Sequence, residues 1–237
     1  MNAVILAAGR GVRMKSALPK CAVLLNGKPM LNHIIETLKK IEIENIYVVV
    51  GYKKEEIIKI IPKGILCITQ KEQLGTGDAV KSCKDVMKDL KGDTLILPGD
   101  VPLIGEYMLK DLINKHQKEE NDMTILTMIT DNPFGYGRIV RDNNFEVSKI
   151  VEEKDLDDED RVILEVNTGI YCVNNQVLFK NIDKLHNFNN KQEYYLTDLV
   201  EILAKDYRVK TMSVKYHYQL TGVNDLETLK KLGEWAI

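Results

Sequence analysis

The sequence predicts an α/β fold: a Rossmann-like, mostly parallel but mixed sheet flanked by helices. The first observation behind this prediction is that short apolar runs rich in β-branched residues alternate with stretches whose apolar residues recur at helical spacing. The second is a hydrophobic share of 44% in 237 residues, which is enough for one large domain or two intimate lobes. Together they indicate strands joined by crossover helices that cover both faces of the sheet.

The first half of the chain shows this alternation most clearly. Between residues 30 and 41, Ile34, Leu38 and Ile41 recur at helical spacing and form one apolar face. The same reasoning assigns the other elements of this half. Strands are predicted at 4–7, 46–50, 65–69 and 94–97, and helices at 30–41, 53–60, 78–87 and 107–117.

The second half is more mixed, with no internal repeat and no sharp domain boundary. Strands are predicted at 123–130, 138–151 and 162–173, with a turn at Asp142-Asn143, and a helix is predicted at 196–204. Residues 152–160 are acidic, and most of them are expected to form a solvated loop. We therefore predict one domain over residues 1–237, divided into a lobe that ends at about residue 100 and a second lobe beyond it.

Bulk composition excludes several classes of protein. The net charge is −2, from 33 basic and 35 acidic residues, which argues against a general nucleic-acid binder. The cysteines are scattered without a C-x-x-C pair, which favours reduced thiols over a disulfide or zinc framework. They are Cys21, Cys67, Cys83 and Cys172. We find neither a signal peptide nor an apolar span near 18 residues, so a cytoplasmic protein without a membrane contact is expected.

A glycine-containing loop follows the first predicted strand. Residues 4–20 read V-I-L-A-A-G-R-G-V-R-M-K-S-A-L-P-K. Gly9 and Gly11 would let main-chain N–H groups approach a polyanion, while Arg13 and Lys20 would add positive charge. An ordinary strand-to-helix turn with two solvated cations explains these residue types equally well. The dinucleotide and Walker fingerprints are both missing, so neither common phosphate loop applies.

A second glycine loop lies at residues 70–79, which read Q-K-E-Q-L-G-T-G-D-A. Gly75 and Gly77 would allow the main chain to lie along a flat ligand, and the amides of Gln70 and Gln73 could read the edge of a base. The plainer interpretation is a glycine-rich helix entry capped by Asp78. On residue types alone this plainer interpretation is favoured.

An acidic residue directly follows the predicted strand at 94–97. Asp100, in L-P-G-D-V-P, is well placed to bind Mg²⁺, which prefers oxygen ligands and keeps several waters. The alternative is a turn-forming role between Gly99 and Pro102. Late in the chain, Asn224 has the position of an N-cap for a helix over 225–232.

These segments resemble the motifs of the sugar-1-phosphate nucleotidyltransferases, from residue 4 to about residue 229. The first loop resembles L-A-A-G-x-G-T-R-M-x-S-x-x-P-K and the second resembles Q-x-x-Q-L-G-T-G-H-A. Shorter matches are G-Y-G-R-I, V-N-T-G-I, E-Y-Y-L-T-D and G-V-N. The chain is most similar to the uridylyltransferase half of bifunctional bacterial enzymes. It departs at Val12 (usually threonine), at Asp78 (usually histidine) and at Gln192 (usually glycine).

The resemblance implies a nucleotide-diphospho-sugar transferase fold and a role for each matching residue. Arg13 and Lys20 are expected to be catalytic, and Asp100 and Asn224 to bind Mg²⁺. The nucleotide is expected on Leu6, Ala7, Ala8, Gly9, Gly11, Gln70, Gln73, Gly75, Thr76 and Gly99. The sugar is expected on Gly137, Glu152, Lys154, Asn167 and Tyr194. Asp78 is expected to cap its helix and to point away from the phosphates, which its charge would repel.

The activity implied is the conversion of UTP and N-acetylglucosamine 1-phosphate to UDP-N-acetylglucosamine and pyrophosphate. The partners are then small molecules, and the sequence does not predict an oligomeric state. The nearest alternative is a nucleotidyltransferase for another sugar phosphate or another nucleotide. A catalytically silent protein that binds nucleotide sugars is a second alternative, and a dehydrogenase on a similar sheet is a third.

Overall fold

The computed structural model describes residues 1–14 and 16–235, apart from the side chain of Val12. Lys15, Ala236 and Ile237 lie outside the described residues, and so does the expected loss of a hydroxyl group at position 12. Within the described part, the chain forms a nine-stranded mixed sheet flanked by helices and a small two-stranded hairpin. None of its described helices is long and apolar enough to cross a bilayer.

The strands are short and mostly buried. They are β1 (Asn2–Leu6), β2 (Leu24–Leu25), β3 (Lys28–Pro29), β4 (Asn45–Val50), β5 (Leu66–Thr69), β6 (Asp93–Pro98), β7 (Met123–Ile129), β8 (Arg138–Arg141), β9 (Val147–Val151), β10 (Glu165–Asn174) and β11 (Val209–Lys215). The main sheet has the order β11-β7-β10-β6-β1-β4-β5, and the β8–β9 hairpin pairs with β10. Strands from both halves of the chain therefore share one sheet.

Helices cover both faces of this sheet. They are α1 (Met30–Lys40), α2 (Lys54–Ile60), α3 (Thr76–Lys81), α4 (Lys84–Met87), α5 (Glu106–Lys118), α6 (Asn175–Asn181), α7 (Asp198–Ala204) and α8 (Leu226–Trp235). Adjacent residues of β1 point to opposite faces, as in any strand. Ile5 joins the core packed against α1 and α5, while Val4 joins the core packed against α3, α6 and α7.

Most predicted elements are present, but several differ in extent. The helix predicted at 78–87 is two short helices, because the chain tightens where Cys83 N–H bonds to the Val80 carbonyl. The strand predicted from residue 162 begins at Glu165, after a 3₁₀ turn. The helix predicted from residue 196 begins at Asp198. Neither α6 nor β11 was anticipated.

One antiparallel strand decides where the second half of the chain meets the first. Strands β1, β4, β5 and β6 are parallel, so their carboxyl ends lie along one edge of the sheet. β10 runs antiparallel between β6 and β7, which brings its amino end to that same edge. A register shift between Asn167 and Ile170 accompanies Gly169, whose φ is +77°. Ligands of open α/β sheets bind at such an edge.

Candidate active site

The ammonium group of Lys20 is the centre of a polar cluster at the carboxyl edge of the sheet. It forms an ion pair with Asp100, which follows β6, and it donates to Asn224 Oδ1 over 2.8 Å. Arg13 donates to the same Asn224 oxygen over 2.9 Å. The side chains of Lys20 and Asp100 are 13% and 24% exposed, so the cluster is shielded but still open to solvent. The structure thus brings together all four residues predicted to be catalytic or metal-binding.

Gly11 makes the approach of Lys20 possible. Its φ is +59°, a conformation that L side chains rarely adopt. A Cβ built there would also lie 2.5 Å from the Lys20 Cβ, so a side chain at this position would displace the lysine. Gly11 therefore makes room for the lysine chain, and its predicted exposure of a main-chain N–H to a nucleotide stays a prediction.

Asn224 is available to the cluster because its neighbour caps the helix. Asp225 Oδ1 accepts from the Thr228 N–H over 2.8 Å at the start of α8, so the prediction that Asn224 caps this helix is wrong. The Val223 N–H donates to the Asp100 carbonyl over 2.8 Å, which ties the two segments together. Capping by Asp225 leaves the Asn224 amide free to turn toward Lys20 and Arg13.

The donor set around Lys20 suits a hard divalent cation. Asp100 and Asn224 direct two side-chain oxygens to one position, where the ammonium group now lies. Among the described residues, no group of three or more His, Cys, Asp or Glu side chains could hold a metal. Two protein oxygens are nevertheless enough for Mg²⁺, which usually completes its shell with water and substrate phosphates.

Main-chain hydrogen bonds hold the start of the first loop, and open space begins further along it. The Leu6 carbonyl accepts from the Gly99 N–H, the Ala7 N–H donates to the Val49 carbonyl, and the Ala8 carbonyl accepts from the Tyr52 N–H. These main-chain groups therefore support the loop. Beyond them, a Cβ added at Gly9 would meet no described atom within 4 Å. Space for a ligand thus begins at Gly9.

The glycines of the second loop face protein. A Cβ at Gly75 would clash with the backbone of Tyr194, and one at Gly77 would lie 2.5 Å from Leu185 Cδ1. The Gly77 N–H donates to the Tyr194 carbonyl over 2.8 Å, and the Thr76 hydroxyl accepts from the Leu196 N–H. The side of each glycine that a Cβ would occupy therefore faces protein, and these glycines join the two predicted lobes. Contact of Gly75 and Thr76 with a nucleotide stays a prediction.

Two polar side chains of this loop also differ from expectation. Asp78 is not a cap, because α3 begins at Thr76 with Gly75 before it. Its carboxylate accepts from Gln70 Nε2 over 2.8 Å instead. Gln73 lies beside Gly51, close to the first loop, since a Cβ at Gly51 would lie 2.9 Å from Gln73 Nε2 and 3.0 Å from the Ala8 carbonyl oxygen. Both glutamines thus remain at the predicted nucleotide side of the edge.

The predicted sugar-binding residues converge at the amino end of β10. The Asn167 N–H donates to the Gly137 carbonyl over 2.9 Å, and its side-chain amide donates to the Tyr171 hydroxyl over 2.8 Å. Glu152 follows β9 and accepts from the Thr197 hydroxyl over 3.0 Å. Fixed polar groups of this kind are what a sugar hydroxyl or acetamide group requires.

Tyr194 and Lys154 lie at the margin of this group. Tyr194 is partly exposed, and its main chain holds the second glycine loop. Lys154 is exposed, and its described hydrogen bond is made by its carbonyl, which accepts from Asn190 Nδ2. Lys154 is thus close to Glu152 in the sequence, but its described hydrogen bond does not hold its ammonium group in the site.

Several acidic side chains lie close to Glu152. Burial raises the pKa of Glu152, and nearby Asp155 and Glu193 raise it further, against the Thr197 hydrogen bond and the charge of Lys191. Burial also raises the pKa of Asp198 to about 6, with Glu152 contributing and His186 opposing. The charged forms of both residues are therefore disfavoured in the folded protein.

Replacing Asp198 with asparagine should stabilise the fold at neutral pH. The folded protein retains a proton on Asp198 between the ordinary pKa of 3.8 and about 6, so its free energy of unfolding falls as the pH rises through that window. Because Asp198 is partly exposed, we expect a gain of about 1 kcal/mol at pH 7.5. Urea unfolding should show a smaller gain at pH 4.5. Asp206→Asn is the exposed control, and an equal gain at both pH values would contradict the assignment.

Sequence reasoning missed three residues that organise the site. Thr197 holds Glu152, and Tyr171 holds the Asn167 amide. Lys53 has a φ of +47°, precedes α2 and donates to the Ala17 carbonyl over 2.6 Å, so it holds the first loop and does not belong to a helix. Only Thr197 lay inside a recognised motif. The other two form contacts that the sequence does not signal.

Comparison with protein families and curated proteins gives a consistent result. A family model described as nucleotidyl transferase matches residues 2–225. The Bifunctional protein GlmU of Acholeplasma laidlawii is 44% identical over 229 residues, and that of Clostridium novyi is 46% identical over 235. The matches cover 97% and 98% of this chain. The chain spans about half the length of these relatives, 50% and 51% respectively.

Solved structures share the fold at low sequence identity. A UDP-glucose pyrophosphorylase complexed with UDP-glucose superimposes with a TM-score of 0.79 at 18% identity, over 99% of this chain and 97% of that one. HddC from Yersinia pseudotuberculosis, complexed with GMP-PN, superimposes with a TM-score of 0.72 at 23% identity, over 100% of this chain and 99% of that one. The predicted fold class is confirmed.

Proposed function

Because the chain belongs to the nucleotidyl transferase family, we propose that it transfers a uridylyl group from UTP to N-acetylglucosamine 1-phosphate. A phosphate oxygen of the sugar phosphate attacks the α-phosphorus of UTP, and the bond from that phosphorus to the bridging oxygen breaks. The products are UDP-N-acetylglucosamine and pyrophosphate. The attacking phosphate is already anionic near neutral pH, so the step needs no general base.

The observation that carries this proposal is the convergence of Arg13, Lys20, Asp100 and Asn224 at one edge of the sheet. The main obstacle to the reaction is repulsion between two phosphorylated reactants. Two like unit charges 4 Å apart repel by about 1 kcal/mol in water and by about 4 kcal/mol near a protein surface. Arg13 and Lys20 offset this repulsion, so catalysis consists of positioning and charge stabilisation.

Asp100 and Asn224 are the residues that would hold Mg²⁺. When bound, the ion would neutralise charge on the nucleotide phosphates. The Lys20 ammonium group contacts the same two side chains. Binding of the nucleotide phosphates would then offer Lys20 a new anionic partner, so the lysine can leave these oxygens without losing ionic contact.

The polar groups around β10 support an amino sugar as the acceptor. Glu152 offers a carboxylate held by Thr197, and Asn167 offers an amide held by Tyr171. Together they provide an acceptor and a donor at fixed positions, which suits a hydroxyl beside an acetamide. The motif resemblance points to the same sugar. Relatives at 40–46% identity, named GlmU, further support this assignment.

The direct test is incubation with UTP, Mg²⁺ and N-acetylglucosamine 1-phosphate, followed by mass spectrometry. UDP-N-acetylglucosamine and an equal amount of pyrophosphate are expected. Parallel reactions with glucose 1-phosphate, mannose 1-phosphate and other nucleoside triphosphates measure the specificity. Faster turnover of another pair would replace the substrate assignment, and no turnover of any pair would favour a silent nucleotide-sugar-binding protein.

The Michaelis constant for the sugar phosphate should rise as the pH falls through the raised pKa of Glu152. Protonation removes the negative charge with which this side chain accepts a hydrogen bond from the sugar. We expect about a tenfold difference in KM between wild type and Glu152→Gln at pH 8, shrinking at lower pH. Initial rates from pH 5 to 8 measure it. The sugar phosphate titrates equally in both reactions, so parallel pH profiles would contradict the role of Glu152.

A further inference from the structure

The side-chain amide of Gln70 is held in one orientation by two acceptors. Gln70 follows β5 and is only 3% exposed. Its Nε2 donates to the Gly75 carbonyl over 3.1 Å and to the Asp78 carboxylate over 2.8 Å. An amide nitrogen carries two protons, so both are used within the protein.

The carbonyl oxygen of the same amide is left for a ligand. Among residues 1–14 and 16–235, no donor reaches Gln70 Oε1. This oxygen is also absent from the fully buried side-chain atoms that lack a partner, so part of its surface is accessible. Rotating the amide by 180° would direct Oε1 at the Gly75 carbonyl and the Asp78 carboxylate. Both are acceptors, so the rotated amide would lose two hydrogen bonds and face a negative charge.

Gln70 lies on the side of the site predicted to bind the nucleotide. Gln70 is the first residue after β5, at the carboxyl edge of the sheet, and its N–H donates to the Val50 carbonyl at the end of β4. Gln73, from the same loop, lies beside Gly51, and the Ala8 carbonyl of the first loop lies beside Gly51 as well. A base seated between these loops would present its ring edge to Gln70.

We propose that Asp78 is a positioning residue for base selection: it fixes the Gln70 amide so that only the carbonyl oxygen faces the nucleotide. The inference rests on the function proposed above. A fixed acceptor selects a base that carries a ring N–H at this edge, as uracil, thymine and guanine do. Cytosine and adenine present a lone pair there, and the amide cannot turn to donate to it.

The test compares UTP with CTP in the wild-type protein and in Asp78→Asn. Asparagine has the same shape but can accept from Gln70 or donate to it, so only the Gly75 carbonyl still opposes rotation of the glutamine amide. We expect the ratio of kcat/KM for UTP to that for CTP to fall about tenfold, mainly through KM. Asp85→Asn, an exposed carboxylate on α4, is the matched control and should leave the ratio unchanged.

Using the ratio separates base selection from the charge of Asp78. Removing the negative charge of Asp78 changes the affinity for both nucleotides alike, whereas turning of Gln70 changes one relative to the other. An independent readout is the side-chain amide of Gln70 in ¹⁵N-labelled wild-type protein. Its two protons should keep their hydrogen-bonded chemical shifts when UTP binds.

Several outcomes would overturn the inference. A UTP-to-CTP ratio within twofold of wild type in Asp78→Asn would mean that Asp78 does not set the orientation. A wild-type preference for CTP or ATP, or loss of the hydrogen-bonded shifts of Gln70 on UTP binding, would mean that the oxygen does not read a ring N–H. In these cases nucleotidyl transfer would still stand. Failure of the wild type to bind or turn over any nucleotide would remove both proposals.

Discussion

Replacing Lys20 with alanine should lower kcat by about a hundredfold or more. The lysine ammonium contacts both Asp100 and Asn224, and Arg13 donates to the same Asn224 oxygen. In the proposed reaction, phosphate charge would accumulate at this position. Pyrophosphate release under saturating substrates measures the effect. The fold should survive, because Asp100 stays open to solvent when its partner is removed, and we expect a stability loss of about 2 kcal/mol.

Two further variants separate charge from packing. Lys20→Met keeps an unbranched chain in the space beside Gly11 and should lose as much activity as Lys20→Ala. Lys28→Ala removes an exposed lysine that pairs with Glu36, and it should retain normal turnover. Near-normal turnover in either Lys20 variant would show that this residue has been given the wrong role.

The sequence predicts most of the sheet because local patterns determine it. The helix predicted at 30–41 is present over Met30–Lys40, because Ile34 and Leu38 form a continuous apolar face that must pack on the sheet. Likewise, the position of Asp100 follows from the buried strand before it. Such features depend on residues that are close together in the chain, so the periodicity of the sequence is enough to locate them.

The partners of the glycines could not be predicted in this way. Gly75 and Gly77 have the spacing of a ligand-binding loop. The atoms that would clash with a Cβ at these glycines belong to Leu185 and Tyr194, more than 100 residues away. The sequence shows that a close approach is required but does not show what approaches. Contacts across the sheet depend on strand order, and the antiparallel insertion of β10 was not predictable from periodicity.

Capping residues posed a similar difficulty. Asn224 and Asp225 are both good N-cap residues, and only the observed start of α8 shows that Asp225 takes this role. This difference affects the candidate site, because Asn224, which does not cap the helix, accepts from Arg13 and Lys20. Asp78 shows the reverse case, since a residue assigned to capping instead accepts from Gln70. A one-residue shift in a helix boundary thus changes which side chains are available for chemistry.

Replacing Asp100 with asparagine should make the reaction strongly dependent on the magnesium concentration. The amide oxygen can still accept from Lys20, so the fold and the lysine position are preserved, but the negative charge that attracts a divalent ion is lost. We expect the half-saturating Mg²⁺ concentration to rise at least tenfold and kcat/KM at low Mg²⁺ to fall about a hundredfold. Initial rates over a magnesium titration measure both quantities.

A binding measurement on the protein alone tests the same role without turnover. Mn²⁺ is expected to bind the wild-type protein in the presence of UTP, and electron paramagnetic resonance of the free ion should show weaker binding to Asp100→Asn. Asp111→Asn, an exposed carboxylate on α5, is the control and should bind as the wild type does. If Asp100→Asn lost activity while keeping normal Mn²⁺ affinity, Asp100 would act by holding Lys20, because only a metal ligand couples the loss of its charge to the affinity for the ion.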